Sequence, residues 1–454
     1  MTSRIALLLT LLAGPPLSAQ RLVTRREAIE TALSSSPRIA LARADSAAAR
    51  ARARTARAYP NPSVSGSYSK STPQGHVVFD LPIESPRLRG ARIGAASAST
   101  RAARLQFLSE RTAAVVEVDT TYTQALAALA KFRLARVTAV DADSLRRLTV
   151  ARRDAGDASD LDVDLASISA GQSSNAASAD SLTYMSAVLG VQALMGLSPD
   201  SVVIALADSL RLLPLDTIAA LPAGGDAMNT PPLALGIPAA VDAAAPPRTS
   251  STMSVLTPGI AAAEANVQAA ELSLLRERRS VFAWPALSFG VEFHDPSGSE
   301  PGLLPLLGLA LPLPLFNRNQ GPIAEAEAER QRARAQLTSV RLEARQRLAE
   351  GLHERAALRA QIGRDIELVV RAQRVATKSL TAYREGASAL PAVLEARRSA
   401  REVLAQYIDD VAALLIVNTE LRALTQTVSP APRPEPLASR AASRSACARS
   451  CCCS

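Results

Sequence analysis

Two stretches of this chain, Gly90 to Gly156 and Gly321 to Gly386, span 66 and 65 residues between glycines. Both are rich in Ala, and Pro322 at the very start of the second is the only proline in either. Leu, Val and Ile recur at three- and four-residue spacings, as in Val115, Val118, Tyr122, Leu126 and Leu129. That spacing lines one face of a helix. At about 1.5 Å per residue, each run is about 100 Å long if helical throughout. Runs of this length without interior proline read as coiled coil or helical repeat. Two independent runs that agree to one residue predict that both must reach the same plane.

The rods belong to a duplication. Ser36-Pro37-Arg38-Ile39-Ala40 is echoed by Thr257-Pro258-Gly259-Ile260-Ala261, and Tyr59-Pro60-Asn61-Pro62 by Trp284-Pro285-Ala286-Leu287. Arg153-Asp154-Ala155-Gly156-Asp157 is echoed by Tyr383-Arg384-Glu385-Gly386-Ala387. The offset grows from 221 residues at Pro37/Pro258 to 225 at Pro60/Pro285 and 230 at Gly156/Gly386. A repeat holding both helical and strand-like pieces is a strong constraint on architecture. Beyond each glycine turn the chain returns as another helix, over 160–197 and 390–424. The reading divides the chain into a first repeat (20–198) and a second repeat (257–428). Between them, 199–256 is a Pro/Ala/Gly-rich connector, and 429–454 reads as a disordered tail.

Each repeat also carries an alternating segment. Val64, Gly66 and Tyr68 alternate with Ser63, Ser65 and Ser67, and His76 to Ile83 returns after a turn at Thr72-Pro73-Gln74-Gly75. Leu287, Phe289, Val291 and Phe293 alternate with Ser288, Gly290 and Glu292. Leu307, Leu309, Leu311, Leu313 and Leu315 alternate with smaller residues beyond the turn at Asp295 to Ser299. These patterns predict β-hairpins at about 62–83 and about 285–315. A soluble antiparallel sheet would need a cover for its apolar face, and no helix of matching length is left over. Strands of about 8 to 11 residues can cross a bilayer core when tilted, so the pattern favours a membrane β-barrel. Four strands leave two open edges, which the bilayer interior forbids, so the chain reads as part of something closed by several copies.

Composition narrows the function. Aromatics are 3% of the residues, which suits small-residue helix seams better than a thick aromatic core. The net charge of +9 does not point to nucleic acid, because Arg is interleaved with Glu, Asp and Ala, and Lys70, Lys131 and Lys378 are the only lysines. His76, His294 and His353 lack partners at metal-ligand spacing, and no phosphate loop or nucleophile elbow is present, so the sequence offers no enzyme, cofactor or metal site. Cys447, Cys451, Cys452 and Cys453 all lie in the tail, leaving the body without a disulfide framework. Residues 1–19, with Arg4, an apolar core from Ile5 to Ala13 and Leu17-Ser18-Ala19, read as a signal peptide.

The most specific string is Leu313-Pro314-Leu315-Phe316-Asn317-Arg318-Asn319-Gln320-Gly321, followed by Ile323 and an Ala/Glu-rich helix. With Tyr383-Arg384-Glu385-Gly386, Leu390 and Leu394, and with Gly156, Leu161 and Leu165 in the first half, it resembles the TolC-like outer-membrane efflux proteins. The wording is nearest to the heavy-metal (cobalt–zinc–cadmium type) outer-membrane factors. The resemblance covers about residues 22–428 apart from the connector. It implies a homotrimer that shares a twelve-stranded barrel in outer-membrane lipid and an α-helical tunnel across the periplasm. It also implies a periplasmic adaptor (membrane fusion protein) and a proton-driven inner-membrane transporter as partners, with metal cations as cargo and no cofactor. The strand-to-helix junction is then Phe316, Asn317, Arg318, Asn319 and Gly321. The adaptor-contact tips are Gly156, Leu161, Gly386 and Leu390. Relatives with a lipid anchor begin their mature chain with Cys; here residue 20 is Gln.

Acids crowd the first tip at Asp154, Asp157, Asp160, Asp162 and Asp164, and the second tip has none from Gly386 to Pro391. Asp157 and Asp160 are candidate selectivity acids for cations; the competing reading is that such acids simply favour the N-terminus of the returning helix. The function expected is a passive exit duct of a tripartite efflux system. Two alternatives stay open: the exit duct of an ATP-driven protein secretion or drug export system, and a periplasmic coiled-coil scaffold without channel activity. The alternating hairpins speak against the scaffold, whereas efflux and secretion are separated only by the wording around Phe316 to Gly321.

Overall fold

The computed structural model describes residues 21–70, 74–198, 204–210, 257–281, 285–293, 303–310 and 313–425. Residues 1–20, which hold the stretch read as a signal peptide, most of the connector and the cysteine-bearing tail lie outside the described residues.

In chain order the elements are β1 (Arg21–Val23), α1 (Arg25–Ser35), α2 (Pro37–Thr55), β2 (Ser63–Tyr68), β3 (Gly75–Pro82), α3 (Pro86–Asp154) and α4 (Asp160–Leu194). They are followed by β4 (Ile204–Leu206), α5 (Pro258–Arg279), β5 (Ala286–Phe293), β6 (Leu304–Ala310), α6 (Gln320–Arg384) and α7 (Leu390–Thr425). Helix starts follow local chemistry. Pro37, Pro86 and Pro258 occupy first helical positions, where the missing N–H costs nothing. Thr24 and Thr257 accept hydrogen bonds from Glu27 N and Ile260 N at 3.2 and 3.3 Å, capping α1 and α5.

α3 and α6, at 69 and 65 residues, run the length of the molecule. The shorter helices pack beside them in tandem. α2 and α5 flank the N-terminal part of α3, and α5 also packs on α6; farther along, α4 and α7 take over beside α3, and α7 packs on α6. Toward the turns the lateral order is therefore α4–α3–α7–α6, one helix thick. Such a layer gives each helix two neighbours at most, which is why small residues dominate the buried positions: Ala91, Ala95, Ala102, Ala114, Ala125 and Ala128 line α3.

The largest apolar core lies at mid-length of α3. There β1 and β4 pair in parallel, with Val23 opposite Leu206, and α1, α3 and α4 close around them through Ala28, Val118, Tyr122, Val191 and Met195. The Tyr122 hydroxyl lies 2.9 Å from both Val23 O and Asp208 Oδ2. Asp208 also accepts from Arg25 N at 2.8 Å. The chain start and the segment after α4 are thus fastened to one tyrosine.

β2, β3, β5 and β6 form one antiparallel sheet in the order β2-β3-β5-β6, so the two repeats meet at the β3–β5 pair. The register aligns Val64, Phe79, Phe289 and Leu307 across all four strands. Val77, Val291 and Pro305 align beside them, as do Leu81, Leu287 and Leu309. The opposite face carries Ser63, Asp80, Ser288 and Gly308 in one row. On that face Ser288 Oγ donates to Asp80 Oδ1 at 2.5 Å, and His76 Nδ1 lies 3.3 Å from Glu292 Oε1. Among the described residues no helix packs extensively on either face. The alternation expected up to Leu315 is a described strand only to Ala310; Leu313 to Asn319 is neither helix nor strand.

Candidate functional site

The two ends of the molecule, the helix tips and the uncovered sheet, hold the residues singled out from sequence. Both tips close in the same way. Gly156 has φ +86° and Gly386 has φ +76°, the left-handed region that non-glycine residues enter at a cost. Gly156 N donates to Arg153 O and Asp157 N to Arg152 O, at 2.9 and 2.8 Å. In the second hairpin Gly386 N donates to Tyr383 O and Ala387 N to Ala382 O, at 3.1 and 2.8 Å. Each pair of bonds is a Schellman closure that satisfies the last carbonyls of a long helix. A Cβ on Gly156 would meet nothing within 4 Å, so backbone conformation and not space demands the glycine.

The helices that leave the tips start differently. Ser159 Oγ accepts from Asp162 N at 3.1 Å while Asp162 Oδ2 accepts from Ser159 N at 3.2 Å, a capping box that opens α4. This gives Asp162 a structural role. α7 has no such box and opens with Leu390-Pro391. Leu161 is the second residue of α4 and Leu390 the first of α7, and the two side chains do opposite things. Leu161 is 66% exposed, whereas Leu390 is 1% exposed and packs with Leu145, Ala166, Tyr383 and Val393. Leu390 therefore supports the tip from beneath and does not present its side chain to a partner.

That small core joins the two hairpins. The Arg152 guanidinium lies 4.6 Å from the centre of the Tyr383 ring and also donates to Tyr383 O. The Tyr383 hydroxyl is 3.2 Å from Thr149 Oγ1, and both residues are buried. Arg397 of α7 donates to Asp141 O of α3 at 2.9 Å. Burial pulls the Arg397 guanidinium below its ordinary value, with Asp141 opposing. The sequence reading missed Arg152, Tyr383 and Arg397 as links. Their partners are more than 230 residues away in the chain, and no local spacing signals such contacts.

The acids of the first tip divide by partner. Asp154 pairs with Arg153 at 2.6 Å, and this hydrogen bond raises the arginine above its ordinary value. The Asp160 side chain is 91% exposed and lies 3.9 Å from Arg153. Asp157 and Asp164 are exposed.

At the strand-to-helix junction, Asn319 is the pivot. It has φ +61° and uses its side-chain amide to donate to Glu277 O, Glu277 Oε2 and Ser280 Oγ, at 2.9, 3.1 and 2.8 Å. The start of α6 is thereby docked on the end of α5. Asn317 Oδ1 accepts from Asn319 N, and Gln320 Oε1 from Arg318 N, at 2.9 and 2.7 Å, forming the bend. Phe316 is 94% exposed, and a Cβ on Gly321 would meet nothing within 4 Å. Burial alone would raise the Glu277 carboxyl, but hydrogen bonds from Arg276, Asn319 and Ser280 outweigh it and hold it below the usual range. The first repeat solves the same junction with other residues. Arg89 and Arg92 reach back to Arg57 O and Ala58 O at 3.0 and 3.1 Å, and Arg89 lies 4.1 Å from the centre of the Tyr59 ring.

Among the described residues no group of three His, Cys, Asp or Glu is placed to hold a metal ion. No helix there is long and apolar enough to cross a membrane, which says nothing about the sheet.

A family model described as outer membrane efflux protein matches residues 28–197 and 296–426, more than half of the chain. The chain belongs to the outer membrane efflux protein family. No curated protein matches it significantly. Among solved structures it is similar to the outer membrane protein VceC from Vibrio cholerae, with 18% identity and a TM-score of 0.67 over 89% of this chain and 97% of that one. It is also similar to the CmeC outer membrane channel from Campylobacter jejuni, with 12% identity and a TM-score of 0.70 over 93% and 89%. For CusC, described as forming a transmembrane channel, the values are 17% and 0.67 over 90% and 94%. At these identities the likeness is one of fold. Members of the outer membrane efflux protein family are channels and not enzymes.

Proposed function

We propose that this outer membrane efflux protein is the exit duct of a tripartite efflux system, a passive conduit for small solutes. The observation that carries the reading is the sheet. One face is apolar from Val64 to Leu309 and bare, and the β2 and β6 edges are unpaired among the described residues. Lipid is the solvent that suits such a face, and barrel closure is what removes such edges.

Closure needs further copies, and three copies would give twelve strands. The helix order supports this, because α4 and α6 stand at the two sides of the layer with outer faces unoccupied. On α4, Ile168, Leu182 and Leu189 are exposed at intervals that are multiples of seven. On α6, Leu368 and Val375 are exposed seven residues apart. α4 carries Asp160, Asp162, Asp164 and Asp180 and no basic residue, whereas α6 is Arg-rich. An acidic and a basic helix with apolar heptad seams suit each other across a subunit boundary. The test is direct. Purified protein should require detergent, have the mass of three copies, and form conducting pores in planar bilayers. A monomer soluble without detergent ends the reading.

The finer parts rest on the family resemblance. The tips at Gly156, Leu161 and Gly386 would meet a periplasmic adaptor, with Leu390 holding their shape, and a proton-driven inner-membrane transporter would supply the energy. Leu161→Glu should abolish adaptor cross-linking while leaving pore formation intact. Heavy-metal cations as cargo rest on the wording of Leu313 to Gly321. A cation filter at Asp157 and Asp160 belongs to the same proposal, and an Asp157→Ala, Asp160→Ala variant with unchanged cation selectivity in single-channel recordings rules it out.

A further inference from the structure

Away from the tips and the sheet, two carboxyl groups are buried against each other where α6 and α7 pack. Asp365 of α6 and Asp410 of α7 are 7% and 6% exposed, in a core of Ile362, Val369, Tyr407, Val411 and Leu414. Gln406 Nε2 donates to Asp410 Oδ1 at 2.9 Å. Oδ2 of each aspartate is buried and meets no donor among the described residues.

Among the described residues, the charges around the pair do not neutralise it. Arg364, next to Asp365 on α6, acts on it less than Asp410 does and in the opposite direction. Asp409, next to Asp410 on α7, is turned the other way and pairs with Lys131 of α3 at 2.8 Å. Among the described residues, the segment after β4 adds only the apolar Leu210 to this core. Among the described residues neither Asp365 nor Asp410 has a Lys or Arg ion pair. Two carboxylates in one apolar seam cannot both stay ionised without a large desolvation and repulsion cost. One proton removes both problems, because it cancels a charge and provides the donor that the two Oδ2 atoms lack.

We propose that Asp365 and Asp410 bind a single proton between them and that this proton latches α6 to α7, which makes the second hairpin responsive to pH. Burial, followed by the hydrogen bond and charge of Asp410, pushes the Asp365 carboxyl up to about 6, against the pull of Arg364. A carboxyl raised on folding contributes stability that is full below its unfolded value and is lost as pH rises through its folded value. The latch therefore holds at mildly acidic pH and loosens above about pH 6. This inference does not depend on what passes through the duct.

The experiment uses the purified full-length protein in detergent, treated with EDTA and followed by infrared difference spectroscopy from about pH 8 down to about pH 5, with the band fitted as a component titrating near 6 over the onset of ordinary carboxylates at the acid end. A protonated-carboxyl band should grow with a midpoint near 6. The component near 6 should vanish in Asp365→Asn and in Asp410→Asn, since an amide donates the hydrogen bond without a titrating proton. In parallel, amide exchange around Asp365 in α6 and Asp410 in α7, corrected for intrinsic rate, should slow at least about tenfold on acidification in the wild type. In both variants it should be independent of pH. A midpoint in the ordinary carboxylate range overturns the proposal, as does a component near 6 that survives both substitutions. A midpoint that moves when Mg²⁺ or Zn²⁺ is returned, in the wild type only, makes the pair a metal site and overturns it equally.

Discussion

Single residues hold this molecule at its turning points, and each can be tested alone. Asn319 combines a left-handed backbone with three side-chain hydrogen bonds to the end of α5. Asn319→Ala should destabilise the junction by about 2–3 kcal/mol, combining lost hydrogen bonds with left-handed strain, whereas Asn319→Gly should recover about 1 kcal/mol of that. Protease sensitivity around Leu313 to Gly321 checks the ordering. Arg152 binds both the carbonyl and the ring of Tyr383. Arg152→Ala should cost about 1–2 kcal/mol and let the hairpins part. The measurement is amide exchange over the last turns of α3 and α6, which should become faster. The sequence marked Asn319 through the junction string but left Arg152 as one more helix charge, because a cation–ring contact between distant segments has no local period.

At the scale of elements, the junctions and caps decide where the rods start and stop. Ser159→Ala removes the capping box of α4 and should cost about 1 kcal/mol, read as faster amide exchange over its first turn. The α5–α6 junction carries a pH dependence of its own. Glu277 is held below the usual carboxylate range, so its contribution is present above the unfolded value and lost as pH falls through the folded one. Acid should therefore loosen the start of α6, and Glu277→Gln should flatten that response. This sign is opposite to that of the Asp365–Asp410 pair, so exchange at the start of α6 and at its centre should diverge as pH falls. The rods themselves were legible, since an unbroken Ala-rich period needs only nearby residues. The pairing of α3 with two successive partners on each side was not, because every helix face offers a similar Ala and Leu stripe.

For the whole molecule, the sheet is the decisive surface. If its outer face meets lipid, Leu307→Arg or Phe289→Arg should destabilise the assembled protein by about 2–4 kcal/mol near the bilayer midplane. Denaturant titration in lipid vesicles measures this, and the same changes at Ser65 or Ser288 on the opposite face should cost less. The acidic face of α4 and the Arg-rich α6 lead to a further outcome. Assembly of copies should weaken as salt rises, since exposed charge pairs are screened over about 10 Å at 0.1 M ionic strength.

The sequence by itself determined the two matched rods, the glycine turns that end them, the alternating hairpins and the duplication that relates the halves. All of these arise from chain-local rules: helical period, strand alternation and the backbone freedom of glycine. Only the tertiary structure decided that Leu161 faces outward while Leu390 is buried, that Arg152 grips Tyr383, and that two aspartates share an apolar seam. These depend on which faces meet across hundreds of residues or across a hairpin. That choice follows from packing the halves side by side in a layer one helix thick, where each residue's neighbour is set by the fold and not by its place in the chain.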